Sequence, residues 1–358
     1  MTKVVTVLGA RPQFIKAATV SRAFNALGVN ELIVHTGQHF DRNMSNVFFE
    51  EMDIPLPHYQ LEISGLSHGA MTGRMLEQVE SVLLKEKPDV VMVYGDTNST
   101  LAGSLAAAKL HIPVAHVEAG LRSFEMRMPE EVNRILTDRI SKLLFCPTDT
   151  AVQNLKKEGF GSFDCEIIQC GDVMYDAVLY YRKFLKERSH LIDTLDLGNA
   201  PFVLVTIHRA ENTDDVNRLT QIVGALNVIS RTTKIVLPLH PRTKGLLEKN
   251  GIQLEFSTIE PVGYFDMLSL LEHCELVMTD SGGLQKEAYF FSKYCLTLRD
   301  QTEWVELVDA GVNSLVGADS SKILLEFETA KQKPVTHSAQ LYGDGAAAQK
   351  IAQKLSSF

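Results

Sequence analysis

Short runs of β-branched and other apolar residues alternate with segments of helical periodicity along the whole chain, and this alternation restricts the fold more than any other feature. Strands that alternate with helices form a parallel sheet covered by helices. In the first half, the predicted strands are residues 4–8, 31–35, 90–94, 114–117 and 143–146. The helices predicted between them are residues 14–27, 67–85, 97–110 and 130–140.

The same pattern restarts after an irregular stretch around Gly171. Here the predicted strands are residues 203–206, 235–237, 276–279, 295–298 and 314–316. The predicted helices are residues 215–230, 264–272, 284–291, 303–310, 320–332 and 346–355. We therefore predict an α/β protein with two Rossmann-like domains, residues 1–170 and 171–340, followed by a C-terminal helix in residues 341–358. Because such sheets bind ligands beyond the carboxyl ends of their strands, the substrate is expected in a cleft between the two domains.

Composition excludes several classes of function. The net charge of −9 argues against nucleic acid as a partner, because phosphate backbones require a broad basic face. No apolar run is long enough to cross a membrane and no signal peptide is recognisable, so we expect a cytoplasmic protein without a membrane partner. The five cysteines form no CxxC pair, which favours buried free thiols over a disulfide or a metal site.

The turn after the first strand carries two cations. Arg11 and Lys16 follow Gly9 and lie near the start of the first helix, where an anionic ligand is favoured. The turn lacks the GxGxxG fingerprint of dinucleotide sites, so NAD receives little support. The alternative is a capped helix with two solvated charges.

Carboxylates follow the third and fourth strands. Asp96 and Glu118 each stand at the end of a strand, and Glu130 lies in the first turn of the next helix with Arg134 one turn later. Taken singly, Asp96 is explained by helix capping and the Glu130–Arg134 pair by a surface salt bridge. Together, the three carboxylates offer groups for acid–base chemistry.

In the second half, His208 and Arg209 follow a strand, which suits phosphate binding or protonation of a leaving group. A lone histidine there is more often structural. Further on, Ser281, Gly282 and Gly283 form a turn between a strand and a helix, where backbone N–H groups can surround a diphosphate. Glu287, one turn into that helix, can accept the two hydroxyls of a ribose.

Seven segments, in order, resemble the non-hydrolysing UDP-N-acetylglucosamine 2-epimerase family. They are GARPQFIK from Gly9, HTGQHFD from His35, YGDTNSTLAG from Tyr94, HVEAGLRS from His116, MPEEVNR from Met128, TIHRAEN from Thr206 and TDSGGLQKEA from Thr279. The resemblance implies a GT-B-like fold, a homodimer, and a final helix that packs back toward the N-terminal domain. It implies catalytic roles for Lys16, Asp96, Glu118, Glu130, Arg134 and His208. It also implies that Arg11, Arg209, Ser281, Gly282, Gly283 and Glu287 bind a UDP-sugar.

The chain departs from the family pattern at three places. Trp304 replaces the arginine of the usual TERPE motif, and Val262 replaces the glutamine after Pro261. Gln38-His39 begins the motif of an allosteric site, but residues 40–42 do not continue it. These variants resemble the branch that acts on UDP-2,3-diacetamido-2,3-dideoxy-glucuronate in surface-polysaccharide pathways, with UDP-N-acetylglucosamine the next candidate. Arg122 or Arg127 is a candidate cation for the carboxylate of that sugar.

The expected reaction is inversion at C-2 by elimination and re-addition of UDP. It requires no metal and no cofactor, and its expected partner is the UDP-sugar itself. Three alternatives remain open from the sequence: a hydrolysing 2-epimerase that releases UDP, a GT-B glycosyltransferase, and a non-enzymatic nucleotide-sugar sensor.

Overall fold

A computed structural model describes residues 1–38, 49, 52–198, 200–331, 333, 335 and 341–358. The chain divides into two compact units. The first unit comprises Met1–Leu179 together with Gln340–Phe358, and the second comprises Tyr180–Ala339. Within the described residues, no helix is both long enough and apolar enough to span a membrane.

The first unit contains a seven-stranded sheet. Its strands are β1 (Lys3–Leu8), β2 (Asn30–His35), β3 (Tyr59–Gln60), β4 (Val90–Tyr94), β5 (Val114–Val117), β6 (Leu143–Cys146) and β7 (Glu166–Gln169). Its helices are α1 (Arg11–Leu27), α2 (His68–Glu86), α3 (Asn98–Lys109), α4 (Pro129–Ile140), α5 (Asp149–Lys157) and α6 (Val173–Tyr181), whose last two residues belong to the second unit.

The order of the strands in this sheet is β3-β2-β1-β4-β5-β6-β7, and every pair is parallel. The order reverses between β1 and β4, which is where ligands bind in sheets of this type. Both faces are covered by helices, so β4 is buried along its whole length. The sequence did not predict β3 or β7, because two paired residues in β3 and half-exposed residues in β7 leave little apolar signal.

The last helix, α16 (Ala347–Ser356), packs against α1 in the first unit. Its first turn is bound by a side chain from α6, because Asp176 accepts a hydrogen bond of 2.7 Å from the backbone N–H of Ala348. A carboxylate is favoured at the N-terminus of a helix. Burial nevertheless raises the pKa of Asp176 to about 6.

This raised pKa predicts how stability depends on pH. The folded state holds a proton on Asp176 more tightly than the unfolded chain does. The contribution of this group to the free energy of unfolding is therefore present below pH ~4 and is lost as the pH rises through about 6. Asp176→Asn keeps an oxygen acceptor without the charge. We expect this variant to gain about 2–3 kcal/mol over wild type between pH 4 and pH 7.5, measured by denaturant unfolding across that range.

Asp344→Asn is the matched control, because Asp344 lies just before the same helix and pairs with Lys350. That pairing lowers the pKa of Asp344, so it does not titrate in the tested window. A difference between Asp176→Asn and wild type that stays constant with pH would contradict the prediction.

The second unit contains a five-stranded parallel sheet. Its strands are β8 (Phe202–Thr206), β9 (Lys234–Val236), β10 (Leu276–Thr279), β11 (Tyr294–Thr297) and β12 (Asn313–Leu315). Its helices are α7 (Leu185–Arg188), α8 (Leu191–Thr194), α9 (Ala210–Thr213), α10 (Val216–Ser230), α11 (Pro241–Lys249), α12 (Tyr264–His273), α13 (Gly282–Phe290), α14 (Val305–Asp309) and α15 (Ser320–Ala330).

The order of the strands in this second sheet is β12-β11-β10-β8-β9, so it reverses between β8 and β10. Apolar side chains of the sheet pack with those of α10 and α15 in one core, which includes Leu226, Met278 and Phe327. Two parallel sheets, one in each unit, confirm the predicted α/β class.

Candidate functional site

Three neighbouring strands of the first sheet present the candidate residues of that unit. β1, β4 and β5 are adjacent, and because they are parallel their carboxyl ends lie at the same edge. The turn to α1 follows β1, Asp96 follows β4 and Glu118 follows β5. The sheet therefore brings segments that are distant in sequence to one edge.

Close packing determines the conformation of the turn after β1. A Cβ atom at Gly9 would collide with the hydroxyls of Thr36 and Ser99, so glycine is required there. Gln13 is buried and holds the turn: its Oε1 accepts the N–H groups of Gly9 and Ala10, and its Nε2 donates to the Tyr94 carbonyl at 2.7 Å. The exposed Arg11 begins α1 next to this turn.

Asp96 lies beside a cation from α4. Its carboxylate is 2.8 Å from the guanidinium of Arg134, and about a third of its side chain is exposed (33%). Burial raises the pKa of Asp96 and the negative charges of Glu118 and Glu130 raise it further, whereas Arg134 opposes them. A carboxyl group with a raised pKa can exchange a proton closer to neutral pH.

Glu118 forms an ion pair with Lys16, which is 102 residues away in the sequence. Both side chains are largely buried, so water screens the pair only weakly. Glu118 adopts a left-handed backbone conformation with φ of 72°, which is unusual for a residue with a side chain. Such strain is tolerated where the surrounding structure holds the residue, as functional sites often do.

Two successive glutamates in the first turn of α4 have different environments. Glu130 is exposed in the first turn, and its backbone carbonyl accepts the Nε–H of Arg134 at 3.3 Å. Glu131 is fully buried and accepts the backbone N–H groups of Ser123 and Phe124. The ion pairs of Arg134 are with Asp96 and Glu131, so the interpretation of a Glu130–Arg134 surface salt bridge was wrong.

In the second unit, the ends of β8 and β10 lie side by side at the reversal of strand order. Asp280, which follows β10, is fully buried and accepts the backbone N–H groups of His208 and Arg209 at 3.0 Å. The imidazole of His208 is half exposed, with Nδ1 3.4 Å from Asp280. Burial lowers the pKa of His208, although the Asp280 carboxylate opposes this effect.

The turn that begins α13 lies close to the charged side chains of Glu303 and Arg209. Gly282 is buried, and a Cβ atom there would collide with the carboxylate of Glu303 and approach the guanidinium of Arg209 at 3.7 Å. Arg299 is 2.9 Å from Glu303. Burial raises the pKa of Glu303, but Arg299 and Arg209 outweigh it and the pKa is lowered. Arg209 therefore adds a cation at the N-terminus of a helix, a favourable place for an anion.

The remaining predicted residues of this unit belong to the same turn and helix. Ser281 is the residue before α13, and Gly283 is exposed in its first turn. Glu287 is buried one turn later, and its charge helps burial to raise the pKa of Tyr264. The second sheet thus brings together His208, Arg209, Ser281 and Gly282.

Trp304 is packed beneath the first turns of α13. Its indole N–H donates to the Gly282 carbonyl at 2.9 Å, and the ammonium of Lys286 lies 4.1 Å from the centre of its ring. The side chain is therefore engaged with α13.

Several residues of these sites were missed from the sequence. Gln13 had a signal, because glutamine at the third position of a helix belongs to the capping-box pattern. Asp280 also had one, since it follows a strand directly. Glu303 had none, because only the fold brings it to Gly282.

Arg122 is excluded as the cation for a sugar carboxylate, because its buried guanidinium is paired with Asp138 and Glu158. Arg127 is exposed and paired with Glu125. His39 and residues 40–42 of the allosteric motif lie outside the described residues. In the described part of the chain, no three His, Cys, Asp or Glu side chains come together as metal ligands.

Comparison with known proteins finds matches over nearly the whole chain. The family model for UDP-N-acetylglucosamine 2-epimerase matches residues 22–356. A UDP-2,3-diacetamido-2,3-dideoxy-D-glucuronate 2-epimerase from Pseudomonas aeruginosa is 56% identical over 358 residues, which cover 99% of each chain.

Two solved structures are similar over the full chain. The UDP-GlcNAc 2-epimerase of Methanocaldococcus jannaschii, in complex with UDP-GlcNAc and UDP, has a TM-score of 0.89 at 41% identity, with 100% of both chains covered. The enzyme of Neisseria meningitidis bound to UDP-GlcNAc has a TM-score of 0.87 at 30% identity and the same coverage. These likenesses confirm the expected GT-B-like fold class.

Proposed function

The chain belongs to the UDP-N-acetylglucosamine 2-epimerase family, and from this premise we propose that it inverts C-2 of UDP-2,3-diacetamido-2,3-dideoxy-glucuronate without hydrolysing it. The observation that carries the choice of substrate is the 56% identity, over the full length, to an enzyme of that name. Three relatives named for UDP-N-acetylglucosamine are less similar: a homolog of that epimerase is 48% identical, and two others are 42% and 43% identical. The product would serve surface-polysaccharide synthesis.

The second unit would hold the nucleotide. The proposed binding site is the N-terminus of α13, where the guanidinium of Arg209 lies near the backbone of Ser281, Gly282 and Gly283. These donors suit a diphosphate, and they would stabilise the negative charge that develops when UDP leaves. His208 stands at the end of the neighbouring strand, and Glu287 would accept the ribose hydroxyls.

The first unit would move the protons. The hydrogen on C-2 becomes acidic enough only when the bond between C-1 and oxygen breaks and the ring gains positive charge. One carboxylate then takes the C-2 proton, which leaves a glycal and UDP. A proton is delivered to the opposite face of C-2, and UDP adds back to C-1.

Asp96 and Glu118 are the proposed acid and base. They follow neighbouring strands, and each is paired with a cation, Arg134 or Lys16. Glu130 is the third candidate and Arg11 would contact the phosphates. The assembly we propose is a homodimer, as the family resemblance implies, located in the cytoplasm.

Incubation of the full chain with a panel of UDP-sugars in deuterium oxide, followed by NMR, tests this function. We expect the manno epimer of the diacetamido uronate, with deuterium at C-2 and no accumulation of free UDP. An epimer without deuterium would overturn the elimination. Free UDP with free sugar would indicate hydrolysis, and turnover of UDP-N-acetylglucosamine alone would overturn the substrate.

A further inference from the structure

The imidazole of His116 is fully buried on β5, and both of its nitrogens face oxygen atoms. Nδ1 is 2.7 Å from a carboxylate oxygen of Asp138 on α4. Nε2 is 2.7 Å from the backbone carbonyl oxygen of Gly95, which lies between β4 and Asp96. At these distances each nitrogen requires a hydrogen bond rather than a contact between two lone pairs.

The guanidinium of Arg122 is paired with Asp138 in the buried interior, which keeps Asp138 a carboxylate that can only accept. Its second oxygen accepts the N–H of Arg122 at 2.7 Å and the backbone N–H of Gly120 at 3.1 Å. A carbonyl oxygen likewise can only accept. Among the described residues, both hydrogen-bond partners of the ring are therefore acceptors.

From these contacts we infer that His116 is a doubly protonated imidazolium that acts as a positioning residue for the two carboxylates Asp96 and Glu118. A neutral imidazole carries one N–H and would leave the other nitrogen facing an acceptor in a buried site. The imidazolium satisfies both contacts. This inference rests on the proposed function for the role of the carboxylates, but the protonation of the ring does not.

The charges around the ring support the assignment. Arg122 forms two hydrogen bonds of 2.7 Å with Glu158, so cation and anion alternate from His116 through Asp138 and Arg122 to Glu158. With an imidazolium this chain of groups is neutral, whereas with a neutral ring it carries a negative charge that burial disfavours. The neighbouring Cys146 stays a thiol, because burial raises its pKa.

The position of Gly95 explains what the imidazolium does. Its N–H donates to the Val117 carbonyl at 3.0 Å and its carbonyl accepts from His116, so both of its backbone groups are bound to β5. Gly95 has a φ of 62°, a conformation that favours glycine. Asp96 follows it directly, and Glu118 lies two residues after His116. The ring thereby fixes the two strand ends that carry the carboxylates.

NMR of the full chain labelled with ¹⁵N-histidine tests the protonation. The His116 signals are assigned by their absence in His116→Gln. We expect both ring nitrogens of His116 to carry a proton at pH 7.5. A single protonated nitrogen would overturn the inference, whatever the activity of the enzyme.

Kinetics test the positioning role. His116→Phe removes both hydrogen bonds, and we expect kcat to fall by about 10²-fold, the effect of a small misplacement of catalytic groups. KM and the Kd of UDP should change by less than about threefold, because a variant that loses only transition-state interactions keeps its ground-state binding. His116→Gln can still donate to Gly95 and should retain part of the activity.

His111→Asn is the matched control. His111 is exposed, precedes β5 and has a φ of 58°, which asparagine adopts readily. Unchanged kcat in His116→Phe, or parallel losses in kcat and UDP binding, would overturn the positioning role. If wild type epimerised no UDP-sugar, the proposed function would fail while the NMR result still decided the state of the ring.

Discussion

Glu118→Gln is expected to lower kcat by about 10²–10⁴-fold, the usual contribution of a positioned acid or base. The amide has nearly the shape of the carboxylate but cannot take a proton from C-2. The Kd of UDP should stay unchanged, because Glu118 is not among the residues proposed to contact the nucleotide. The measurements are steady-state kinetics on the UDP-sugar and calorimetry with UDP.

The control is Glu125→Gln. Glu125 pairs with Arg127 on the surface, in the segment between β5 and α4, and we expect its removal to leave kcat unchanged. The substitution removes the carboxylate that pairs with Lys16 and leaves the Lys16 ammonium largely buried without it. Circular dichroism must therefore show that Glu118→Gln is folded. A folded variant with less than a tenfold loss would remove Glu118 from proton transfer.

Hydrogen exchange in two variants can show which face of C-2 each carboxylate serves. Asp96→Asn and Glu118→Gln are each incubated in deuterium oxide with the gluco epimer and, separately, with the manno epimer. A variant that lacks the base for one face of C-2 should be slow to exchange the C-2 hydrogen of the epimer that presents its hydrogen on that face. Identical behaviour of the two variants with both epimers would contradict a division of labour between Asp96 and Glu118.

Asp138→Asn is expected to destabilise the first unit by about 3–5 kcal/mol, because removal of one partner leaves buried charges uncompensated. Asp138 is fully buried between His116 and Arg122. The amide of the variant has one oxygen where the carboxylate has two, so either the His116 ring or the Arg122 guanidinium loses its acceptor. For a unit of this size the loss corresponds to a fall in Tm of about 6–20 °C.

Asp164→Asn is the matched control for this second prediction. Asp164 is also a carboxylate of the first unit in an ion pair, with Lys142, but its side chain is 97% exposed. Exposed pairs contribute about 0–1 kcal/mol, so the control should unfold close to wild type. Differential scanning calorimetry gives the Tm of each variant and of wild type. Equal Tm values for the two variants would show that the buried network contributes no more than a surface pair.

Periodicity along the chain was sufficient for most of the secondary structure. The strands β4, β5, β6 and β10 begin and end where the sequence predicted, because buried parallel strands form short apolar runs with sharp ends. The sequence did not predict the helices α5, α6, α7, α8, α9 and α11. α6 follows Gly171 in a stretch that we interpreted as irregular, and the local pattern there carries no signal of the packing against α16.

The candidate residues were found because they follow strands, and several of their partners were not. Asp96 and Glu118 are recognisable from a strand that ends in a carboxylate. His116 and Asp138 are ordinary residues of a strand and a helix until the fold pairs them at 2.7 Å. Arg122 had been considered a cation for the sugar, and its burial between two carboxylates excludes that role.

The sequence alone determined the α/β class, the ends of most strands and the residues that follow them, because these depend on the periodicity of neighbouring residues. The tertiary structure decided which strand ends are adjacent and which charges meet. Strand order follows from pairing between segments far apart in the chain, so nothing local indicates that Lys16 pairs with Glu118 or Asp96 with Arg134. Buried charges require partners, and only the folded sheet specifies which partners those are.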